Sequence, residues 1–301
     1  MVTMNPRRRR MLIPGLLIAL LVVAAIASFT GRAEGAEQQP VSRMSDPRIT
    51  ESSGLAVSRT HDDLAYTIND SGHDPIVYAV RISTGATVGA TRLTADVTDP
   101  EALALHDGTL WVADTGDNGA VREEVALLTL PEPGPGDRTV TPERYRITLD
   151  SPADIEALLL DSEGVPQLVT KTLGSGAVYR VGSLDADAVT PAVRLDIVAP
   201  PLVTDAAYAP DGSSIVLLTY LGAHVLDPGS WQTRTTLPLP PLDQAETIAY
   251  ANPRQVLVGS EGENSPLYRL SLPLTPPPTA AAVPGLGALI LLAASLGDRL
   301  R

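Results

Sequence analysis

The chain has 301 residues, 44% of them hydrophobic, no cysteine and a net charge of -13. This composition allows a sizeable core and excludes a disordered class, while the missing thiols exclude disulfides, thiolate metal sites, cysteine nucleophiles and a lipoprotein-type anchor. Nucleic acid is a poor partner for so acidic a chain; cations or cationic ligands are better ones.

In chain order, Arg7 to Arg10 precede the apolar run "MLIPGLLIALLVVAAIASF". A basic stretch before an apolar segment of this length is a secretory signal peptide or a retained signal anchor, and both imply export. Ala25 and Ala27 give a small-residue cleavage pattern before Ser28. Residues 1–36 are therefore assigned to this segment and a short linker. The charged ends carry +4 over residues 1–36 and +1 over 298–301, which leaves -18 for residues 37–297.

Five segments between these ends share one plan: "SGLAV" at 53, "EALAL" at 101, "EALLL" at 156, "DAAYA" at 205 and "ETIAY" at 246. From Leu55 to Ile248 the step is roughly 48 residues, the size of a four-stranded propeller blade. The first repeat reads as four strands, "GLAVS", "LAYTIN", "IVYAVRI" and "ATVGATRL", with turn formers between them. The last repeat has no fourth strand before the prolines, and "VSRMSDPRI" at 41 to 49 is placed to supply it and latch the ring. The expectation for residues 37–273 is an all-β propeller of five four-stranded blades, or six if the insertion "PEPGPGDRTVTPE" hides strands of its own.

Residues 274–279 form a stiff proline-rich spacer. Residues 280–297 are uncharged and apolar, the pattern of a transmembrane helix, followed by a cytoplasmic tail at 298–301 carrying Arg299 and Arg301. "LPLTP" at 272 also resembles a sortase signal, with Pro276 where that signal has glycine. The expected location is the cell membrane, attached through the C-terminal helix, with the propeller outside the cytoplasm.

Propeller geometry gathers the loops entering each first strand, and those leaving each second strand, at one mouth of the channel. Glu51, Asp99, Glu101, Asp154, Glu156, Asp205 and Glu246 fall there, joined by Asn69, Asp70, Asp114, Asp117, Asn118, Lys171, Glu261 and Asn264. So many carboxylates need raised pKa values, a cation or abundant water. Calcium or magnesium suits an all-oxygen set, and Glu51, Glu101, Asp114, Glu156 and Glu246 are the candidate ligands. The same residue types also make Asx turns at strand ends. Lys171, the only lysine, balances charge in this cluster. His73 lies in the first acidic loop, and no nucleophile elbow or phosphate-cradling loop is present.

"ESSGLAVS" followed by "NDSGHDPIVYAV", and "DPEALAL" followed by "LWVADTGDN", resemble a group of exported bacterial β-propellers placed near phytase-like, esterase-like and gluconolactonase-type propellers. The resemblance covers roughly residues 45 to 272 and implies the propeller fold. Gluconolactonase-type relatives hold a divalent metal at the channel mouth with a Glu, Asn and Asp set, and Glu51, Asn69 and Asp114 are similar in placement. Two functions stay open: recognition of a small-molecule or protein ligand at the acidic face, or divalent-metal-dependent hydrolysis of a lactone, ester or phosphoester there.

Overall fold

A computed structural model of the chain describes residues 37–273. The expected signal or anchor segment, the spacer, the C-terminal helix and the tail lie outside the described residues. Those described are all-β, and no helix among them is long and apolar enough to cross a membrane.

After β1 (Gln38–Met44), the first antiparallel set is β2 (Ser52–Val57), β3 (Leu64–Asn69), β4 (Ile76–Arg81) and β5 (Thr87–Leu93). The second runs β6 (Pro100–His106), β7 (Thr109–Asp114) and β8 (Val125–Pro131), then, after the short β9 (Arg138–Val140), β10 (Glu143–Thr148). The third is β11 (Ile155–Leu160), β12 (Pro166–Thr170), β13 (Gly176–Val181) and β14 (Val189–Ala199). The fourth is β15 (Val203–Tyr208), β16 (Ile215–Thr219), β17 (Gly222–Leu226) and β18 (Thr233–Leu237). The last, β19 (Ala245–Asn252), β20 (Gln255–Ser260) and β21 (Ser265–Ser271), takes β1 as its outer strand, antiparallel to β21 from Gln38 opposite Leu270 to Met44 opposite Ser265.

The pairing of the N-terminal strand follows the sequence expectation with shifted bounds: it begins at Gln38 and ends at Met44, after which Ile49 is buried in the core. The long insertion of the second repeat yields only β9 among the described residues. It adds in parallel to the outer edge of β5 and starts no further set. A parallel contact of β10 with β14 joins the second and third sets edge to edge.

Burial explains the residue pattern. The inner strands β2 and β11 are buried along their whole length, with the apolar runs Leu55–Val57 and Ala157–Leu160 after polar residues at the mouth end. Outer strands such as β14 alternate between half-buried and exposed residues. The core divides into five clusters, one at each junction of consecutive sets, including the junction of the last with the first, where Met44, Ile49, Leu55 and Tyr78 meet Leu257 and Leu267. Each fully buried Leu or Ile contributes about 1.5–3 kcal/mol. Away from the mouth, Asp107 and Gly108 turn β6 into β7 with φ of 45° and 71°, the two-residue turn whose twist suits a hairpin.

The strand register sets up the site. Every inner strand has a bulge at the same end, at Ser53/Leu55, Pro100/Ala102, Ile155/Ala157, Val203/Asp205 and Ala245/Thr247. The extra residues are Gly54, Glu101, Glu156, Thr204 and Glu246. A bulge re-aims the side chain it inserts, so three of the five equivalent positions present a glutamate. Gly54 has φ 67°, and a Cβ there would strike the backbone of Ala102 and Leu103; only glycine fits.

Candidate metal centre at the ring mouth

In four of the five sets the loop entering the inner strand is tied to the end of the strand after it. Asp70 N–H donates to Glu51 O, Thr115 to Asp99 O, Lys171 to Asp154 O and Glu261 to Gln244 O, at 2.8, 3.0, 2.9 and 3.2 Å. These repeated bonds hold residues 70, 115, 171 and 261 beside the bulge residues of their own sets.

Two carboxylate triads result, and Glu101 belongs to both. Asp70, Asp99 and Glu101 each offer an oxygen within 4.8 Å of the others, and so do Glu101, Asp154 and Glu156. Glu101 is 4% exposed; Ser53 Oγ donates to its backbone carbonyl at 2.8 Å and reaches its Oε2 at 3.3 Å. Burial, then the charges of Glu156, Asp70 and Asp99, push its carboxyl up to about 10. Burial and the hydrogen-bonded Asp70 push Asp99 up to about 7. Burial raises Glu156 to about 8, held back by Lys171, whose Nζ lies 2.8 Å from Oε1. Burial disfavours the Lys171 ammonium, but Glu156 outweighs it and raises the group.

The other half of the mouth is built differently. Tyr220 Oη and Gln244 Nε2 each donate to Glu246 Oε1 at 2.7 Å, and Lys171 Nζ lies 5.4 Å from the Tyr220 ring centroid. Burial raises the Glu246 carboxyl against these partners. Glu261 is raised by burial and by the neighbouring charges of Glu246, Glu51 and Asp70.

"DTGDN" resolves into five separate tasks. Asp114 is fully buried, and its Oδ1 accepts the backbone N–H groups of Thr98 and Asp99 while Arg122 and Arg144 pair with its two oxygens. Asn69 does the same in the first set, accepting from Thr50 and Glu51. Thr115 Oγ1 donates to Ile155 O across the junction. Gly116 makes room, since a Cβ there would collide with Glu101 Oε1 and Asp99 Oδ2. Asp117 closes the loop through the N–H groups of Val121 and Arg122, and its own N–H holds Asp154 Oδ1 at 2.8 Å. Asn118 faces solvent.

Of the residues expected at the site, the fold brings Asp70, Glu101, Glu156, Lys171, Glu246 and Glu261 together. Asn69, Asp114 and Asp117 stand behind them with their side chains engaged in holding loops. Glu51 is exposed at the rim, 3.3 Å from His73 Nδ1. Asp205 lies one residue past its bulge, completely buried, accepting N–H from Ala206 and Ile248 at 2.8 and 2.7 Å; burial raises its carboxyl well above the usual range. Tyr220 and Gln244 are additions that the acid-centred reading passes over. Their signal is positional: Tyr220 follows β16 as Lys171 follows β12, and Gln244 precedes β19 as Asp154 precedes β11.

The oxygen-only donor set of Asp70, Asp99 and Glu101, none of which forms an ion pair within 4 Å among the described residues, fits a hard divalent ion.

No family model and no characterised protein sequence matches the chain. Similar solved structures include a gluconolactonase from Xanthomonas campestris, 13% identical over 82% of this chain and 93% of that one, with a TM-score of 0.46. Another is the PQQ-bound aldose sugar dehydrogenase of Streptomyces coelicolor, 9% identical over 80% and 99%, with a TM-score of 0.48. A luciferin-regenerating enzyme is 9% identical over 79% and 95%, at 0.45. These are likenesses of chain path, and the chemistry of the mouth rests on this chain's own residues.

Proposed function

We propose that the chain is a five-bladed propeller whose mouth is a divalent-cation centre for hydrolysis of a lactone, ester or phosphoester. The blade count is supported by the five sets and their five junction cores. The cation centre is supported above all by Glu101, a buried carboxylate shared between two triads. Asp70, Asp99, Glu101, Asp154 and Glu156 would hold the ion, with calcium the first candidate. Such an ion, when bound, supplies a Lewis acid for the scissile group and acidifies a water. The chain's own residues do the rest: Lys171 keeps a positive charge beside Glu156, Tyr220 and Gln244 fix Glu246, and Gly116 lets Glu101 and Asp99 pack against the loop backbone. We also propose that residues 1–36 and 280–297 export the propeller and anchor it to the cell membrane.

The test is a melting curve with and without calcium, magnesium or manganese, followed by assays on lactones, carboxylic esters and phosphoesters. An ion at a hundred times its dissociation constant stabilises the fold by about 2.7 kcal/mol. No shift with any of the three ions rejects the centre and the hydrolase together. Binding without turnover of any substrate class leaves a ligand-recognition face.

A further inference from the structure

We infer that the mouth takes esters or lactones with an apolar acyl or aryl group, seated beside Tyr220, in preference to polyhydroxylated substrates. This rests on the hydrolytic reading and names its substrate class. Two observations outside the carboxylate cluster carry it.

A cavity of 270 Å³ opens against the mouth, lined by Tyr220, Leu239, Pro240, Leu242, Asp243 and Gln244 among others. Tyr220 and Gln244 belong to both places, since their polar ends hold Glu246. Leu239, Pro240 and Leu242 give the cavity an apolar wall. Its volume equals about nine waters, room for a short acyl chain or a single ring. A substrate filling it would hold its polar group near Lys171 and the carboxylates.

The second observation is the rim. Val121, Leu173 and Leu221 are 76%, 90% and 72% exposed, and each lies in the loop between the second and third strands of one of three consecutive sets. Those loops also carry Asp117, Lys171 and Tyr220. One exposed leucine is ordinary; here three large apolar side chains occupy equivalent loops of three consecutive sets. The remaining two large exposed apolar residues, Val193 and Val198, lie on the outer strand β14.

In the reaction, the acyl carbon–oxygen bond to the alcohol breaks and a bond forms from that carbon to the water oxygen. One water proton ends on the departing alcohol, and the other is released as the product ionises to a carboxylate. The cavity acts on binding of the acyl group and takes no part in this exchange.

The experiment uses the full chain with calcium and p-nitrophenyl acetate, butanoate and hexanoate, with δ-gluconolactone as the polyhydroxylated competitor. Binding of the neutral, unreactive analogue hexanamide is measured alongside by calorimetry. The expected result is kcat/KM rising about fourfold per added methylene, a lower value for δ-gluconolactone, and hexanamide binding weakened about tenfold by Leu242→Ser, consistent with pocket discrimination of this size. Should Leu242→Ser fail to fold, Leu239→Ser in the same wall takes its place, with the same roughly tenfold loss of hexanamide binding expected. Absence of hexanamide binding, or a preference for δ-gluconolactone, overturns the inference whatever the esters do. Hexanamide binding that Leu242→Ser weakens, with no turnover of any ester, upholds the apolar subsite and overturns the hydrolytic reading instead.

Discussion

Glu101, Glu156 and Glu246 meet because each is the extra residue of a bulge, at the same height in its own strand. The proximity has a measurable cost in the metal-free protein. Burial and the neighbouring carboxylates push Glu101 up to about 10 in the folded ring against 4.5 ordinarily, so between these values the fold retains a proton that the unfolded chain has lost. Stability therefore falls as pH rises from 4.5 towards 10 through Glu101, with Glu156 contributing up to about 8 and Asp99 up to about 7. Glu101→Gln should flatten this slope and raise the metal-free melting temperature at pH 8, while abolishing the calcium shift. A steeper slope in the variant would reject the shared-carboxylate reading. Asp114 behaves in the opposite sense: Asp114→Asn unpairs Arg122 and Arg144 from a fully buried carboxylate and should cost about 3 kcal/mol by urea melting, with or without calcium. The sequence showed which acids recur but not which way they point. Asn69 and Asp114 both end a second strand, and only the hydrogen bonds reveal that both clamp the loop next door. Asp205 looks equivalent to Glu101 in the repeat, yet Thr204 holds the bulge, and a shift of one residue carries the carboxylate from the mouth into the interior.

Among the elements, β1 has the largest part in closing the ring. It covers the edge of β21 and contributes Met44 to the junction core, and Ser42 Oγ donates to Ile82 O at 2.7 Å in the first set. Gly85, with φ 73°, lets the β4–β5 turn lie against Arg43, because a Cβ there would overlap the Arg43 carbonyl. Removing residues 37–44 should lower the melting temperature by well over 10 °C, since a loss of 1 kcal/mol already shifts a chain of this size by about 2–4 °C. An unchanged melt would place the closure elsewhere. The strands were legible because apolar runs alternate with Gly, Asp and Pro turns. β9 was not, for its three residues pair through the backbone with an edge that no local pattern announces.

At the scale of the whole molecule, inner strands start at the mouth and second strands end there. β21 therefore starts at the mouth and runs away from it, and β1 runs back towards it. Glu37 and Ser271 lie together on the opposite face, where Ser271 N–H donates to Glu37 O at 3.1 Å. The described residues therefore begin and end on the face away from the carboxylates. Protease added to intact cells should digest the propeller and spare a tag placed after Arg301; a protected propeller would reverse the proposed orientation. Loss of the tag with a wall-linked product would instead favour sortase processing.

The side-by-side position of Glu37 and Ser271 also has a mechanical side. Tension between Glu37 and Ser271 pulls across the ladder and loads its rungs in succession, Gln38 with Leu270, then Gln39 with Arg269, then Pro40 with Tyr268. Such a pull peels the pair apart one rung at a time, whereas strands dragged lengthwise share the load among all their bonds. The ring would yield first at its seam while the other four junction cores stay packed, and relaxation would let the same strand zip back from the mouth end.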